Sequence, residues 1–244
     1  MISNLSVINV YKKKSIKSKL ETQILFGESF SIVKKAGSWF KIKNDLDGYK
    51  GFIQKKDFAS NHKSTHKVDS LFAELYSLPD QKYKIKKKIS FSSKIKVTNK
   101  KYNFYKFNDL WIKKKDLKRI KYKNKNIFKN INKFIGTKYV WGGRHYSGVD
   151  CSGLVQLFFN FNNKYCPRDS KDQIRYFKKK IKLKNIQKND LIFWKGHVAI
   201  AVSKKDLIHA YGPLKSTVKM NIKKTIDKIY NTANLKVTGI RRVT

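Results

Sequence analysis

The sequence predicts an α+β protein in which two small β-barrels precede a domain of helices and strands. Residues 30–53, FSIVKKAGSWFKIKNDLDGYKGFI, alternate apolar and polar positions and are interrupted at AGS and LDG. Short alternating runs separated by turn residues are typical of the strands of a small barrel. A weaker series follows, and from about residue 124 helical patterns come before three strand-like runs. Helices followed by strands indicate an α+β domain with an antiparallel sheet.

The two predicted barrels resemble each other at their ends. GYKGFIQKKDF, residues 48–58, and FNDLWIKKKDL, residues 107–117, share an aromatic–Ile pair followed by lysines, an aspartate and an apolar residue. Such a repeat indicates a tandem pair of similar modules. We place the first module at 1–60 and a degenerate second one at 67–118, with HKST, residues 62–65, as the linker.

The remainder, residues 124–244, is predicted to be one domain. NKNIFKNINKFIG predicts an amphipathic helix that ends at Gly136, and SGLVQLFFNFN predicts a second, more buried helix. The runs DLIFW, HVAIAV and DLIHAY predict three strands in quick succession. The apolar face of the first helix consists of Ile127, Phe128, Ile131, Phe134 and Ile135.

The chain is strongly basic, with 57 Lys and Arg residues against 16 Asp and Glu and a formal charge of +41. A basic surface attracts nucleic acid, anionic lipid or acidic small molecules. The lysines are scattered through every segment, and only six of the basic residues are Arg. This distribution favours compositional drift over a specific nucleic-acid site, and no RNA-binding, zinc-finger or leucine-zipper signature is present.

The first residues and the cysteine content bear on the cellular compartment that we expect for the protein. The first residues, MISNLSVINVYKKKS, lack the pattern of a signal peptide, and no apolar run approaches transmembrane length. Two cysteines in 244 residues form no disulfide framework. We therefore expect a cytoplasmic protein with reduced thiols.

One of the cysteines, Cys151, is a candidate nucleophile. It stands where the helix SGLVQLFF begins, after the turn-forming SGVD, and either Asp150 or Ser152 is a suitable N-cap. A thiol attacks carbonyls as the thiolate, and a helix N-terminus lowers a thiol pKa. The alternative interpretation is a small buried core residue, which is the usual role of a cysteine before an apolar helix.

Two histidines are candidate partners of this thiol. His197 shares a strand face with Ala199 and Ala201, which leaves space beside it, and His209 lies in the next predicted strand. Histidines in facing strands lie side by side, so the first suits a general base and the second its orienting partner. A metal site formed with Cys151 is an alternative, although no CxxC or HxxxH spacing supports it.

Several blocks together resemble the NlpC/P60 family of papain-like cysteine peptidases. These are YVWGG, DCSGLVQ, PRDSKDQ, NDLIFWKGHVAIAV and LIHAYG, which cover about 124–244 in the order of the family. The resemblance implies that Cys151 is the nucleophile, His197 the base and His209 the residue that orients it, with no cofactor. It also implies that the substrate cleft is lined by Tyr139, Asp150 and Ser152.

The blocks show one departure from the family and contain several residues of smaller interest. Asn189 replaces the usual glycine of Gly-Asp-Leu, and we expect the turn to survive because Asn tolerates left-handed backbone angles. We predict core packing for Trp141 within a tight turn that contains Gly142 and Gly143. The other assignments are a structural ion pair for Arg168, an inert thiol for Cys166 and a turn contact for Asp190.

The front modules resemble the bacterial SH3-like domains that precede NlpC/P60 domains in dipeptidyl-peptidase VI-like enzymes. The resemblance rests on ETQILFGE and GSWFKIKNDLDGYKGFI, and it is looser over 67–118. In such enzymes the first module closes one end of the cleft and binds the substrate's free amine through an acidic residue and a tyrosine. The matching positions are Glu28 and Tyr49; the alternative is that both are ordinary surface residues of a barrel.

The resemblance implies hydrolysis of the bond between γ-D-glutamate and a diamino acid in peptides with a free N-terminal L-alanine. The expected partners are small acidic murein peptides in cytoplasmic recycling, which a basic cleft surface would help to capture. Three alternatives remain: an unrestricted peptidoglycan endopeptidase, a non-catalytic module that binds wall fragments, and a basic nucleic-acid-associated protein.

Overall fold

A computed structural model of the protein describes residues 1–59 and 63–243. The chain forms two compact units, which are described separately. The first consists of Met1–Lys123 with Arg144–Tyr146, and the second of Asn124–Gly143 with Ser147–Thr244. Residues 144–146, inside the predicted third domain, thus group with the first unit. The predicted linker begins at His62, which lies outside the described residues.

The first unit begins with a five-stranded antiparallel sheet of order β2-β1-β5-β4-β3. The alternation in the sequence becomes alternation of faces, since Phe40 and Ile42 of β4 are buried and the lysines between and after them are exposed. The inner face packs around Val10, Ile24, Phe30 and Ile53. The strands are β1 (Val7–Tyr11), β2 (Leu20–Leu25), β3 (Phe30–Ala36), β4 (Trp39–Asn44) and β5 (Lys50–Gln54).

The rest of the first unit contains a five-stranded sheet of order β10-β11-β12-β7-β8 and a three-stranded sheet of order β13-β6-β9. Their core includes Leu75, Ile95 and Ile112 together with Phe26 from the earlier part of the chain. The strands are β6 (His66–Val68), β7 (Phe72–Tyr76), β8 (Lys84–Ser90), β9 (Lys94–Ile95), β10 (Asn99–Lys101), β11 (Phe104–Phe107), β12 (Leu110–Lys113), β13 (Leu117–Arg119) and β14 (Arg144–His145).

Gly27 allows the two parts of the first unit to approach closely. Its φ is +76°, and a Cβ there would lie 1.9 Å from the carbonyl oxygen of Lys94. Next to it, the backbone N–H of Lys94 donates to the carbonyl of Phe26 at 2.9 Å. Only glycine satisfies both the left-handed backbone and this contact.

The second unit combines three α-helices with a five-stranded antiparallel sheet of order β19-β18-β17-β16-β20. The apolar faces of the sheet and of the last helix share a core that includes Ile192, Leu207, Ile222 and Ile229. The elements are β15 (Gly148–Val149), α1 (Cys151–Phe161), α2 (Ser170–Tyr176), β16 (Leu191–Trp194), β17 (His197–Ala201), β18 (Asp206–Tyr211), β19 (Ser216–Asn221), α3 (Ile222–Ala233) and β20 (Gly239–Arg241).

The predicted helix before α1 is wrong. The structure has turns there and a single 3-10 turn, Ile131–Phe134. Asn130, just before it, has a left-handed backbone with φ +61°, and the side chain of Asn126 accepts from the N–H of Phe128 at 3.1 Å. Asparagine side chains compete for backbone donors and tolerate left-handed angles, so they interrupt a helix that the apolar spacing alone predicts.

The buried helix and the three strands are confirmed as α1, β16, β17 and β18. Sequence patterns did not predict α2, α3, β19 or β20; α2 overlaps the PRDSKDQ block, and the other three lie outside every family block. No helix within residues 1–59 and 63–243 has the length and apolar character needed to span a membrane.

Candidate active site

Cys151 is the first residue of α1, and Asp150 is its N-cap. Asp150 has an extended backbone, and its Oδ1 accepts from the N–H of Gly153 at 2.7 Å. This contact satisfies one of the helix's otherwise unpaired first-turn donors. The thiol is buried and lies against the backbone N–H of Val198, the residue that follows His197. The fold therefore brings the start of α1 to the beginning of β17.

The resting thiol is neutral. Burial raises the pKa of Cys151 to about 12, and the negative charge of Asp150 acts in the same direction. The N–H groups of Val198 and Ser152 lower the pKa but do not outweigh burial. The sequence-based expectation of a lowered thiol pKa is therefore wrong for the substrate-free protein, because desolvation exceeds the effect of the helix N-terminus.

The two histidines lie side by side, as predicted. Nε2 of His197 is 2.8 Å from Nδ1 of His209, and β17 and β18 pair antiparallel. Burial lowers the pKa of His197 to about 4 and that of His209 to about 3. Both imidazoles are therefore neutral at neutral pH, and His197 is able to accept a proton.

His209 has two further neighbours that the sequence motifs did not indicate. Its Nε2 lies 3.4 Å from Sδ of Met220, on β19. The ring of Tyr211 stacks on it with centroids 4.6 Å apart and planes 12° apart. The spacing of two residues along β18 was a usable signal for Tyr211, since it places both side chains on one face. Met220 lies outside every motif.

Asp150 and Ser152 form one network with Arg168. Nη2 of Arg168 is 2.6 Å from Oδ2 of Asp150, and its Nη1 is 3.0 Å from Oδ1. Nη1 also donates to Oγ of Ser152 at 3.1 Å, and the N–H of Gly142 donates to Oδ2 at 2.8 Å. The ion pair predicted for Arg168 is formed, and its partner is the carboxylate next to Cys151.

Tyr139, the third predicted cleft residue, belongs to the same neighbourhood. Burial raises the pKa of Tyr139 above its usual range, and the negative charge of Asp150 adds to the effect. The phenol therefore stays protonated and can donate a hydrogen bond. Tyr139, Asp150 and Ser152 are thus all close to the thiol-bearing end of α1.

The turn residues follow the predictions, with one exception. Asn189 has a φ of +77° and Gly142 a φ of +74°, so both turns use the left-handed backbone. Asp190 accepts from the N–H of Gln187 at 2.8 Å, which holds the turn before β16. The core packing predicted for Trp141 is wrong, because its side chain is 53% exposed.

In the first unit, the Glu28 carboxylate already has internal partners. It is 2% exposed, and its oxygens accept from Nη1 and Nη2 of Arg144 at 3.0 and 2.9 Å and from the N–H of Leu25 at 2.9 Å. The structure therefore does not leave Glu28 available to bind a substrate amine. The hydroxyl of Tyr49 donates to Oε2 of Glu21 at 2.8 Å.

The alternative metal site is not formed. Across residues 1–59 and 63–243, no group of three or more His, Cys, Asp and Glu side chains is arranged to hold a metal ion. Cys166 is buried, and its thiol lies 3.5 Å from the carbonyl oxygen of Pro167.

Comparison with known proteins confirms the family resemblance. The NlpC/P60 family matches residues 136–237, and the bacterial dipeptidyl-peptidase SH3 domain matches residues 10–58. The γ-D-glutamyl-L-lysine dipeptidyl-peptidase of Bacillus cereus is 27% identical over 79% of this chain and 68% of its own length. The Bacillus subtilis enzyme of the same name is 24% identical over 85% of this chain and 77% of its own.

The fold is shared with a crystal structure of an NlpC/P60 family protein from Bacillus cereus. The structural alignment covers 99% of this chain and 98% of the crystallised chain, with a TM-score of 0.82 and 21% sequence identity. The two family matches describe an NlpC/P60 domain at residues 136–237, preceded at residues 10–58 by a bacterial SH3 domain of the dipeptidyl-peptidase type.

Proposed function

We propose that the protein is a cysteine peptidase that hydrolyses the γ-D-glutamyl–diamino acid bond of cell-wall peptides with a free N-terminal L-alanine. The observation that carries the proposal is the His197–His209 pair at 2.8 Å, with the thiol of Cys151 against the N–H of Val198. The names of the two relatives support the bond, since both are γ-D-glutamyl-L-lysine dipeptidyl-peptidases.

The reaction proceeds from a neutral thiol and a neutral imidazole. As substrate binds, the Cys151 proton passes to His197, and the sulfur electron pair attacks the carbonyl carbon of the γ-glutamyl bond. First-turn N–H groups of α1 stabilise the developing oxyanion. The imidazolium then protonates the leaving amine, and a water molecule, deprotonated by His197, hydrolyses the thioester.

The Asp150–Arg168–Ser152 network provides the polar part of the substrate site. Its oxygens and N–H groups are already oriented by mutual hydrogen bonds, so binding requires little rearrangement. The murein peptides that we propose as substrates are acidic, and the charge of +41 favours their capture. We place the reaction in cytoplasmic recycling of such peptides.

For the substrate ammonium we propose the carboxylate of Glu21 in place of Glu28. Tyr49, the predicted partner, contacts Glu21, whereas Glu28 is paired with Arg144. The Glu21 side chain is partly exposed, and Nζ of Lys19 lies 3.8 Å from its Oε1. A carboxylate with a phenol hydroxyl is a suitable pair for an ammonium group.

We also propose that residues 67–118 form a second SH3-like module, which their five-stranded sheet supports.

The test of the nucleophile compares the two cysteines. Cys151→Ala is expected to lower kcat on L-Ala-γ-D-Glu-L-Lys by about 1000-fold or more, because no other group supplies the covalent step. Cys166→Ala is the matched control, a second buried thiol that is expected to retain activity within about twofold. Products are identified by mass. Loss of turnover in the Cys166 variant alone would refute the assignment.

The amine requirement separates a trimming peptidase from an unrestricted endopeptidase. The free tripeptide is expected to be cut, while its N-acetylated form and polymeric peptidoglycan are not. Glu21→Gln should raise KM for the free tripeptide by about tenfold, as expected for loss of one charged contact. Glu74→Gln is the control, because Glu74 also contacts lysine in the first unit. Equal cleavage of free and acetylated peptides would favour the unrestricted enzyme.

A further inference from the structure

The side chain of Met220 lies at one end of a short chain of hydrogen-bonding groups in the second unit. Its Sδ is 3.4 Å from Nε2 of His209, and Nδ1 of His209 is 2.8 Å from Nε2 of His197. Met220 follows Val218 by two residues on β19, and Val218 lies directly opposite His209 on β18. The thioether sulfur therefore contacts Nε2 of His209, the ring nitrogen that does not contact His197.

A thioether carries lone pairs and no proton, so it accepts hydrogen bonds and never donates them. The contact with Met220 therefore requires the proton of the neutral His209 ring to be on Nε2. A neutral imidazole has only one N–H, so Nδ1 of His209 must present a lone pair. Nε2 of His197 then carries the hydrogen of the 2.8 Å contact.

We propose that Met220 is a positioning residue that selects the tautomers of His209 and His197 and leaves Nδ1 of His197 unprotonated. This inference rests on the proposed function, in which His197 takes the thiol proton of Cys151. The proton moves from Sγ to Nδ1 of His197, and the S–H electron pair stays on sulfur. The hydrogen on Nε2 remains in its bond to His209, so the new imidazolium keeps an acceptor.

The opposite arrangement does not support this step. If His209 carried its proton on Nδ1, it would donate to Nε2 of His197, and the His197 proton would be on Nδ1. The only basic nitrogen of His197 would then be the one facing His209, 2.8 Å away. The thiol proton would have no acceptor, and His209 would face the thioether with a lone pair.

Three features allow Met220 to determine which tautomer His209 adopts. His209 is 1% exposed, so water does not supply an alternative acceptor or donor at Nε2. The stacked ring of Tyr211 restrains the plane of the imidazole, which keeps Nε2 directed at Met220. Burial lowers the pKa of His209 to about 3, so the ring carries one proton and not two at neutral pH.

The test reads the tautomers directly by NMR of protein labelled with ¹⁵N in its histidines. Long-range ¹H–¹⁵N correlations distinguish a protonated from an unprotonated ring nitrogen. In the wild type we expect both His209 and His197 to carry hydrogen on Nε2. A proton on Nδ1 of His209 would overturn the proposal. The same measurement on Cys151→Ala is independent of turnover, so it tests Met220 even if the proposed function fails.

Met220→Leu removes the acceptor while nearly preserving side-chain volume, so the fold should tolerate it. We expect a mixture of His209 tautomers and a fall in kcat of about two- to tenfold with KM nearly unchanged, since only part of the protein then has an unprotonated Nδ1 on His197. Val218→Ala is the packing control and should leave the tautomers unchanged. Wild-type tautomers and kcat in Met220→Leu, or an equal disturbance in Val218→Ala, would overturn the proposal.

Discussion

The two units each contain a buried arginine–carboxylate pair, and the pairs differ in what surrounds them. In the first unit Arg144 pairs with Glu28 at 2.9 Å, with side chains 0% and 1% exposed. In the second unit Arg168 pairs with Asp150 at 2.6 Å, with side chains 1% and 10% exposed. Both pairs join a motif carboxylate to a distant arginine, and sequence resemblance placed both carboxylates in the substrate site.

The surroundings assign the pairs different functions. The Glu28 pair is completed by the N–H of Leu25 and by the carbonyl of Gln23, which accepts from Nη1 of Arg144 at 2.7 Å. These contacts bind the 144–146 segment to the first unit's own strands. Asp150 instead caps the helix that begins with Cys151, so its pair orients the candidate nucleophile. The same ion pair can stabilise a fold or organise a site, depending on its neighbours.

The largest effect is expected when the Glu28 pair loses one partner. Arg144→Met leaves a buried carboxylate uncompensated, and removing one member of such a pair costs about 3–5 kcal/mol. Unfolding by urea, followed by circular dichroism, measures the loss. The double variant Arg144→Met/Glu28→Leu should recover most of it, because neither charge then remains buried. A single variant as stable as the wild type would show that the pair does not stabilise this unit.

A smaller loss of stability, combined with a loss of activity, is expected for the Asp150 pair. Asp150→Asn keeps an acceptor for the N–H of Gly153 but removes the charge that Arg168 requires. We expect about 2–3 kcal/mol of destabilisation, less than for Arg144→Met because Asp150 is partly exposed. In the folded protein kcat should fall by about 100-fold, because Ser152 and the first turn lose their orientation. An unchanged kcat would show that the Asp150–Arg168 pair stabilises the fold without organising the site, as the Glu28–Arg144 pair does.

Lowering the pH should distinguish the contribution of the Glu28–Arg144 pair to folding stability from that of the buried histidines, because the two contributions are lost in different pH ranges. Burial depresses the pKa of His209 to about 3, so its contribution to stability is present above pH 6.5 and is lost as pH falls towards 3. Burial by itself would raise the pKa of Glu28. The charge and hydrogen bonds of Arg144, together with the backbone N–H of Leu25, outweigh burial, so the pKa lies below its usual value of 4.5. Its contribution is therefore present above pH 4.5 and is lost only below that value.

The measurement is the free energy of unfolding between pH 7 and 4.5 for the wild type and His209→Gln. One pKa unit corresponds to about 1.4 kcal/mol, and the range extends two pH units below the ordinary histidine pKa of 6.5, so the wild type should lose about 2.5 kcal/mol more than the variant. The Arg144→Met/Glu28→Leu variant should follow the wild type above pH 4.5 and diverge below it. Parallel curves for wild type and His209→Gln would contradict the role of His209.

The smallest effect is expected for an exposed pair of the same chemistry. Arg175 and Asp172 lie 3.8 Å apart on α2, with side chains 80% and 46% exposed. Asp172→Asn should change stability by less than about 0.5 kcal/mol, since water and salt screen exposed pairs. Raising the salt concentration should remove even that difference. A loss comparable to that of Arg144→Met would mean that burial is not what distinguishes these pairs.

Local sequence patterns were enough to predict the elements around Cys151. The apolar run, the Asp150 cap and the alternation of β17 and β18 are properties of adjacent residues, so α1 and the facing histidines were predictable. The left-handed turn at Asn189 was predictable for the same reason. The wrong prediction of a helix before α1 also has a local cause, because asparagine side chains there compete for the backbone donors that a helix would use.

The groups that these residues contact depend on how distant segments pack in the fold. Glu28 is separated from Arg144 by 116 residues, and no spacing rule connects them, so a motif carboxylate was assigned to substrate when it belongs to an internal ion pair. Met220 reaches His209 from a strand without a motif. The thiol pKa likewise depends on burial by the whole fold, which outweighs the local helix N-terminus. Charges and proton positions are set by desolvation and by long-range partners, and both arise only when distant segments pack together.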